Sequence, residues 1–412
     1  MFILMALGLI SGIFLFAPLP NKTRYTIKLP SQPLTNTNSA QTYPTISVII
    51  PARNEAKRIP SLLTSLLIQT IPILEILVVD DGSSDNTAEI AQKLGAHVIP
   101  CPDKPAGWAG KTWACQTGAD QAQGDLLVFL DADVSIQPEG LEALIHQWTS
   151  RTGVISVQPF HRIFSWYENL SSFFNLQVIP SLSLGPRTRG LFGPVICIAK
   201  TDYHLAGGHK AVKSSVLDDV EFGFACRSQN IPLCTFLGGK LFTFRMYPEG
   251  FVQMYGGWTK NFLAGAGTTP TLTLFGICFW LIGVGTTGVQ AGFHAAGSSL
   301  SILPGPMIIM FYLAYGLTLA ISFPLYGNFS LLSALLFPMH LIFYAMVMGR
   351  AWILKALGGT VSWRGRAVPL KDQEVTLGFN AQNYQSQNNS HNHSLNSEPL
   401  EPLNSQKVVE ND

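Results

Sequence analysis

Three stretches, 271–293, 302–326 and 329–354, are almost free of charge; only the last holds a charged residue, Arg350. Each is long enough to cross a bilayer as a helix. Hydrocarbon offers a backbone no partner outside a helix or a closed barrel, so such stretches dictate membrane helices. A bundle over residues 271–356 is expected. Residues 2–18 are also apolar and uncharged, with no basic n-region and no A-x-A cleavage site. An anchor over residues 1–20 fits them better than a cleaved signal. Composition agrees. Of 412 residues 12% are charged, about half the usual fraction, and the mean hydropathy is +0.25. A net charge of +1 offers nucleic acid no footprint. The six cysteines make no CxxC pair and no zinc spacing, and read as buried or free thiols of a reducing compartment.

Lys22, Arg24 and Lys28 follow the first apolar stretch. Under the positive-inside rule they put the amino terminus outside and the next domain in the cytoplasm. Residues 21–44, rich in Pro, Thr, Asn and Gln, read as a linker. Arg350, Lys355, Arg364, Arg366 and Lys371 cluster at and after the last stretch, which argues for a cytoplasmic tail. The two expectations collide: three full crossings from the cytoplasm end outside. Either one stretch is re-entrant or interfacial, or the charge rule fails. Residues 357–412 form that tail, and 372–412 are too polar to build a core.

Between these parts the pattern alternates. Short apolar runs "ISVIIP", "EILVVDD", "AHVIP", "LLVFLDAD" and "GVISVQPF" are separated by stretches with helical spacing at 59–69, 85–94, 110–122 and 138–149. Continuous apolar strands joined by amphipathic helices mean an α/β domain with a parallel sheet covered on both faces. Its ligands bind beyond the carboxyl ends of the strands. Beyond residue 160 the pattern loosens, and the aromatic stretch 164–180 suits either a core helix or one lying in the membrane interface.

The charges of the alternating region collect at those strand ends. "PARNE" brings Pro51, Ala52, Arg53 and Glu55 after the first strand, and "DDGS" brings Asp80 and Asp81 after the second. The fourth ends in Asp131 and Asp133. In extended chain residues i and i+2 face one side, so this last pair shares a crevice. Alone, the two carboxylates would repel. A divalent cation with hard oxygen ligands, Mg²⁺ or Mn²⁺, removes the conflict and keeps positions open for phosphate oxygens. The pair therefore reads as a metal bridge to a diphosphate, with a solvated loop as the plain alternative. Lys111 stands where a helix begins, suited to a phosphate or ribose.

"SVIIPARNE", "ILVVDDGSSDNTAEIA" and "LVFLDADV", in this order, resemble the nucleotide-sugar half of the family-2 glycosyltransferases over roughly residues 45–240. The resemblance implies a GT-A domain, drawn here as 45–262, with a Rossmann-like mixed sheet and inverting transfer from a nucleotide-diphosphate sugar. It implies that Asp81 contacts the base and that Asp131 and Asp133 hold the metal. The catalytic base lies in an acidic pair on a later helix; here that is Asp219 first, with Asp218 a close second and Glu221 behind. Helix capping is the ordinary alternative for that pair. The QxxRW motif of processive members is missing; "FRMYPEGFVQMYGGWTKNFLAGAG" stands in its place. "GWAGKTWAC", "SVQPFHRI", "GPVICIAKTDYHLAGGHK", "GWTKNFLAGAG" and "VSWRGR" resemble membrane-bound carotenoid glycosyltransferases, and hopanoid-associated ones share part of the set. That implies a lipid-dissolved acceptor. A hydroxyl needs a base at pH 7 and a carboxylate does not, so the acidic pair favours a xanthophyll hydroxyl over a carotenoid acid.

His209 in "GGHK" is placed near the acceptor or, more simply, in an ordinary loop. Arg245 and Lys260 suit the departing diphosphate or lipid phosphates, and Trp258 suits a sugar or the interface. The alternative acceptors are a hopanoid, diacylglycerol or polyprenyl phosphate. A non-catalytic scaffold would have lost these carboxylates, and a transporter would carry charges inside its spans.

Overall fold

The computed structural model describes residues 1–17, 24–29, 44–215, 217–363 and 366–369, with side chains except at 262–268 and 361–369. Strands β1 (Ile46–Ala52), β2 (Glu75–Asp80), β3 (His97–Pro100) and β4 (Leu126–Leu130) run parallel in the order β3-β2-β1-β4. β5 (Val134–Ile136) leaves this sheet. β6 (Val154–Gln158), β7 (Phe160–His161), β8 (Val195–Ala199), β9 (Leu233–Leu237) and β10 (Phe242–Phe244) complete the domain. The main sheet continues β4-β8-β6-β9, and a small sheet is ordered β5-β10-β7.

The continuous apolar runs do what their composition requires. All five residues of β4 are buried, as are six of the seven of β1. On one face Val48, Ile50 and Val78 pack with helices Ile59–Leu67 and Gly140–Arg151. On the other, Ile49, Val79 and Phe129 meet Ala114, Cys115 and Ala119 of helix Gly110–Gln121. That helix lies close because residue 118 is glycine; a Cβ there would sit 2.5 Å from Ile49 Cγ2.

The parallel pattern of the apolar strands is interrupted, which gives the mixed sheet that the resemblance implies. β8 runs antiparallel to both β4 and β6. After β6 and β7 the chain stays at the carboxyl edge, through helix Ser172–Leu182 and the turns that follow. The next strand can only run back. The stretch 164–180 folds as a 3₁₀ turn, Trp166–Ser171, followed by helix Ser172–Leu182, in which Phe173 packs on Trp280 with centroids 4.6 Å apart and Phe174 stacks on Trp258 at 4.5 Å.

Among the described residues three helices are long and apolar enough to cross a membrane: Thr271–Ala295, Gly305–Tyr326 and Phe337–Ala356. The amino-terminal helix Phe2–Phe16 has 15 residues, about 22 Å of rise. It runs antiparallel to Thr271–Ala295, with the Ser11 hydroxyl donating to Gly276 O at 2.7 Å and Gly8 opposite Gly283. Small residues let two backbones close in this way. A Cβ on Gly283 would fall 2.9 Å from Gly8 Cα and collide with the Tyr315 hydroxyl, which donates to Met5 O. We expect Gly283→Val to cost about 1–3 kcal/mol, read as a lower melting temperature in detergent. Gly292→Ala, where a Cβ meets nothing within 4 Å, should leave it unchanged or raised.

The stretch 329–354 is not one rod. Helix Leu331–Leu335 ends at Leu336, and helix Phe337–Ala356 starts there with Pro in its first turn. The break lies against the middle of Gly305–Tyr326: Tyr312 donates to Leu335 O at 2.7 Å, and the Tyr315 and Phe337 rings lie 5.9 Å apart. On either side the chain touches the sheet domain. Ser330 N donates to Asn169 at 3.0 Å, and the Tyr344 hydroxyl donates to Gln177 at 2.9 Å.

Candidate active site

The turns after β1 and β2 are tied together. Asn54 N donates to Ser83 Oγ at 3.0 Å, Ser84 N to Asn54 Oδ1 at 2.8 Å, and Glu55 N to Thr87 Oγ1 at 2.8 Å. Gly82 takes φ +67°, the left-handed region a tight turn needs. Arg53 donates to the Asp81 carbonyl and lies 3.9 Å from its carboxylate. Asp80 faces inward on its own turn, accepting from the Ser83 amide and hydroxyl. It therefore shapes the loop and, unlike Pro51, Ala52, Arg53, Glu55 and Asp81, does not line the cavity above the sheet.

At the end of β4, Asp131 N donates to Pro194 O at 3.0 Å, which fixes the strand end against β8. Its carboxylate meets Lys111 Nζ at 2.7 Å. Burial works against the Lys111 charge, but Asp131 and Asp218 more than offset it and hold the ammonium well above its ordinary value. Asp131 and Asp133 both line the cavity. Among the described residues no group of three or more His, Cys, Asp or Glu gathers into a metal cage. Two carboxylates facing an open crevice suit an ion that takes its other ligands from phosphate and water.

Helix Asp218–Ser228 carries the acidic pair in its first turn. Asp219 is half-buried and accepts from Gly193 N at 2.8 Å and Val220 N at 2.9 Å. Burial, then the charge of Asp218, push it up to about 7, against the pull of Lys111 and the two amides. Gly193 permits the approach; a Cβ there would lie 2.8 Å from Asp219 Oδ2.

One cavity of about 790 Å³ joins these groups. At one end lie Arg53, Asp81, Lys111, Asp131, Asp133, Asp218 and Asp219; at the other it becomes apolar. Leu274, Ile277, Cys278 and Leu281 form one face of Thr271–Ala295 along it, and Tyr344, Met348 and Trp352 one face of Phe337–Ala356. Helix Ser172–Leu182 adds Phe174, Gln177 and Val178. Trp258 and Lys260 line it as well. Nothing in the sequence points to Gln177 or Tyr344; a lone amide and a lone tyrosine carry no spacing.

Two expected contacts fall elsewhere. His209 is buried 2.9 Å from the Tyr203 hydroxyl and stacked on Phe222, a core histidine that burial, then Lys111, push down to about 3. Arg245 turns from the cavity to the buried Glu168, at 2.8 Å, and lies over the Phe164 ring.

A family model described as Glycosyl transferase family 2 matches residues 47–197. The 4,4'-diaponeurosporenoate glycosyltransferase of Staphylococcus aureus (strain MRSA252) is 33% identical over 339 residues, 80% of this chain and 89% of that protein. The chain belongs to glycosyl transferase family 2. The protein of the same name from strain USA300 is similar to this glycosyltransferase at 32% identity, with the same coverage of both chains. Among solved structures, a mannosyltransferase from Pyrobaculum calidifontis in complex with GDP-Man and Mn²⁺ is similar at 16% identity. Its TM-score is 0.48, over 82% of this glycosyltransferase and 99% of that chain. The sheet order, with one antiparallel strand between parallel halves, is that of a GT-A domain.

Proposed function

We propose that this enzyme transfers a hexose or deoxyhexose, with inversion, from a nucleotide-diphosphate sugar to a carotenoid dissolved in the membrane. A xanthophyll hydroxyl is the preferred acceptor and a carotenoid carboxylate the lesser one. The observation that carries this reading is the continuity of the cavity, from the carboxylates to faces of two helices long enough to cross a bilayer. A long apolar acceptor would enter between those helices with its polar end at Asp219.

On this reading Arg53 and Asp81 hold the nucleotide end of the donor. Asp131 and Asp133 would hold Mg²⁺ or Mn²⁺, which neutralises charge on a diphosphate leaving group. Asp219 takes the proton of the acceptor hydroxyl as its oxygen bonds to the anomeric carbon, and the bond to the nucleoside diphosphate breaks on the opposite face. Lys111, between Asp131 and Asp218, offers a positive charge beside the departing phosphates.

The broken third segment supports a reading in which the catalytic domain and the tail share one side. Thr271–Ala295 leads away from the sheet domain, Gly305–Tyr326 returns, and the pair Leu331–Leu335 and Phe337–Ala356 enters halfway and comes back. The Arg350 guanidinium then lies over the Tyr255 ring of helix Phe251–Thr268 at 4.6 Å. A re-entrant third segment leaves residue 357 on the catalytic side. Arg24, Lys28, Arg350 and Lys355 would then share one side, the cytoplasm.

The test uses membranes of a carotenoid-producing host, with and without this chain, given Mg²⁺ and a panel of nucleotide-sugars. Chromatography and mass spectrometry should find a pigment heavier by one sugar. Unchanged pigments with sugar in a colourless lipid would move the acceptor to a hopanoid, diacylglycerol or polyprenyl phosphate.

A further inference from the structure

Helix Gly305–Tyr326 ends against the sheet domain, and the loop it meets there is tied to it. The Tyr326 hydroxyl donates to Phe16 O at 3.1 Å, so two apolar helices, Phe2–Phe16 and Gly305–Tyr326, stop at one level. Just beyond, Asn328 N donates to His161 O at 3.1 Å. The Asn328 side chain accepts from Ile163 N at 2.5 Å and donates to Ile163 O at 3.1 Å. Ser330 N donates to Asn169 Oδ1 at 3.0 Å. Residues 161–169 are therefore pinned beside the end of a helix long enough to cross a bilayer.

This pinned loop turns its large rings outward. Phe164 is 62% exposed and Trp166 76%. Leu331 and Leu332, directly after the Ser330 tie, are exposed as well. The loop is not slack. Ser165 and Glu168 form a capping box on the turn Trp166–Ser171. Buried Glu168 accepts from Phe164 N at 2.7 Å and Ser165 N at 2.9 Å with one oxygen, and from Arg245 Nε at 2.8 Å with the other. Two guanidiniums lie over the Phe164 ring, Arg245 at 4.8 Å and Arg162 at 5.1 Å. Glu168 answers the charge of Arg245. Arg162 is exposed and, among the described residues, makes no ion pair. An indole and an unanswered guanidinium at the end of an apolar helix suit a membrane interface, where aromatic rings sit at headgroup level and arginine bonds phosphate.

We propose that Arg162, Phe164 and Trp166 form an interfacial anchor that enters the headgroup layer of an anionic phospholipid bilayer. Phe164 and Trp166 lie among the headgroups and the tops of the acyl chains, and Arg162 bonds a lipid phosphate. The positive charge left over at Arg162 selects anionic lipid over zwitterionic lipid. Continuity with the helix end puts the bilayer surface, not a protein, against these rings. The anchor also reaches the site, because Arg245 N donates to Asp133 O at 3.3 Å. It thereby sets the height of the carboxylates above the membrane. The inference rests on reading Gly305–Tyr326 as a membrane helix and is independent of which lipid receives the sugar.

The experiment uses the full-length enzyme in nanodiscs of phosphatidylglycerol and phosphatidylcholine. Trp166 emission, taken as the difference between wild type and Trp166→Phe, should be quenched by lipids brominated near the top of the acyl chain and shielded from aqueous acrylamide. Leu313→Trp, at an exposed position midway along Gly305–Tyr326, should be quenched by bromines deep in the chain. Phosphatidylglycerol and phosphatidylcholine with the same photoactivatable label on the headgroup should both crosslink to the peptide holding residue 162, the first more strongly. Arg162→Gln should lower the ratio of the two about fivefold. A Trp166 open to acrylamide and untouched by bromolipid, with Leu313→Trp quenched, overturns the anchor and keeps the membrane helix. A Trp166 shielded from both quenchers is covered by protein, which also overturns the anchor. An unchanged ratio in Arg162→Gln overturns the phosphate contact. A Leu313→Trp variant that bromolipid does not quench overturns the membrane helix and the anchor with it.

Discussion

Asp131→Ala is expected to lose transfer by about a thousandfold, with the fold intact. What holds Asp131 in place is its backbone amide on Pro194 O, which the substitution keeps. Only the carboxylate is removed, and that carboxylate faces the cavity opposite Lys111. A metal clamp on a leaving group supplies several kcal/mol, and each 1.4 kcal/mol is about a factor of ten in rate. The measurement is sugar transfer in membranes over a titration of Mn²⁺, with Mn²⁺ binding followed by electron paramagnetic resonance. Chelation should silence the wild type, and added Mn²⁺ should restore it. The variant should bind Mn²⁺ more weakly and stay slow at saturation. A variant as fast as wild type would leave Asp131 as no more than the partner of Lys111.

The sequence shows the location of this site more readily than its reach. Apolar strands that stop at Arg53, Asp81 and Asp131 place their polar groups at one sheet edge, because a parallel sheet has one carboxyl end. That logic needs only local pattern, and Arg53, Asp81 and Asp131 do line one cavity beyond those strand ends. Strand β8 defeats it: "VICIA" has the composition of a parallel strand, and its direction is set by a connection that never leaves the carboxyl edge. His209 defeats it in another way. Two glycines beside it suggest an open turn, but Tyr203 and Phe222 close around it from other elements. Arg245 finds Glu168, 77 residues away, a partner no spacing reveals. The break at Leu336 does leave a trace, since Pro338 suits the first turn of a new helix and no middle of an old one. Hydropathy averaged over a long window hides it.

Asp219→Asn is the second large effect, and it separates the two acceptor chemistries. With a hydroxyl acceptor the base is needed, and kcat should fall by about 10²–10⁴ with KM little changed. As the proposed base Asp219 would act only when ionised, so wild-type kcat/KM should rise with pH through about 7, its raised value in this site. The Asn variant should lack that limb. Stability should move in the opposite sense. The folded protein holds the Asp219 proton up to about 7, the unfolded chain only to about 3.8. Below that lower value both states are protonated and the group contributes nothing against folding. As pH rises towards 7 the unfolded state gains by ionising, so the wild type loses stability that the Asn variant keeps. Melting curves of both at pH 4 and pH 8 would check this: the gap between them should change in favour of Asn at the higher pH. A carotenoid acid, ionised before it binds, needs no base. If Asp219→Asn keeps its full rate on the acid and the wild type ignores the alcohol, the acidic pair at 218 and 219 serves to orient the acceptor, and the preference for a hydroxyl is wrong.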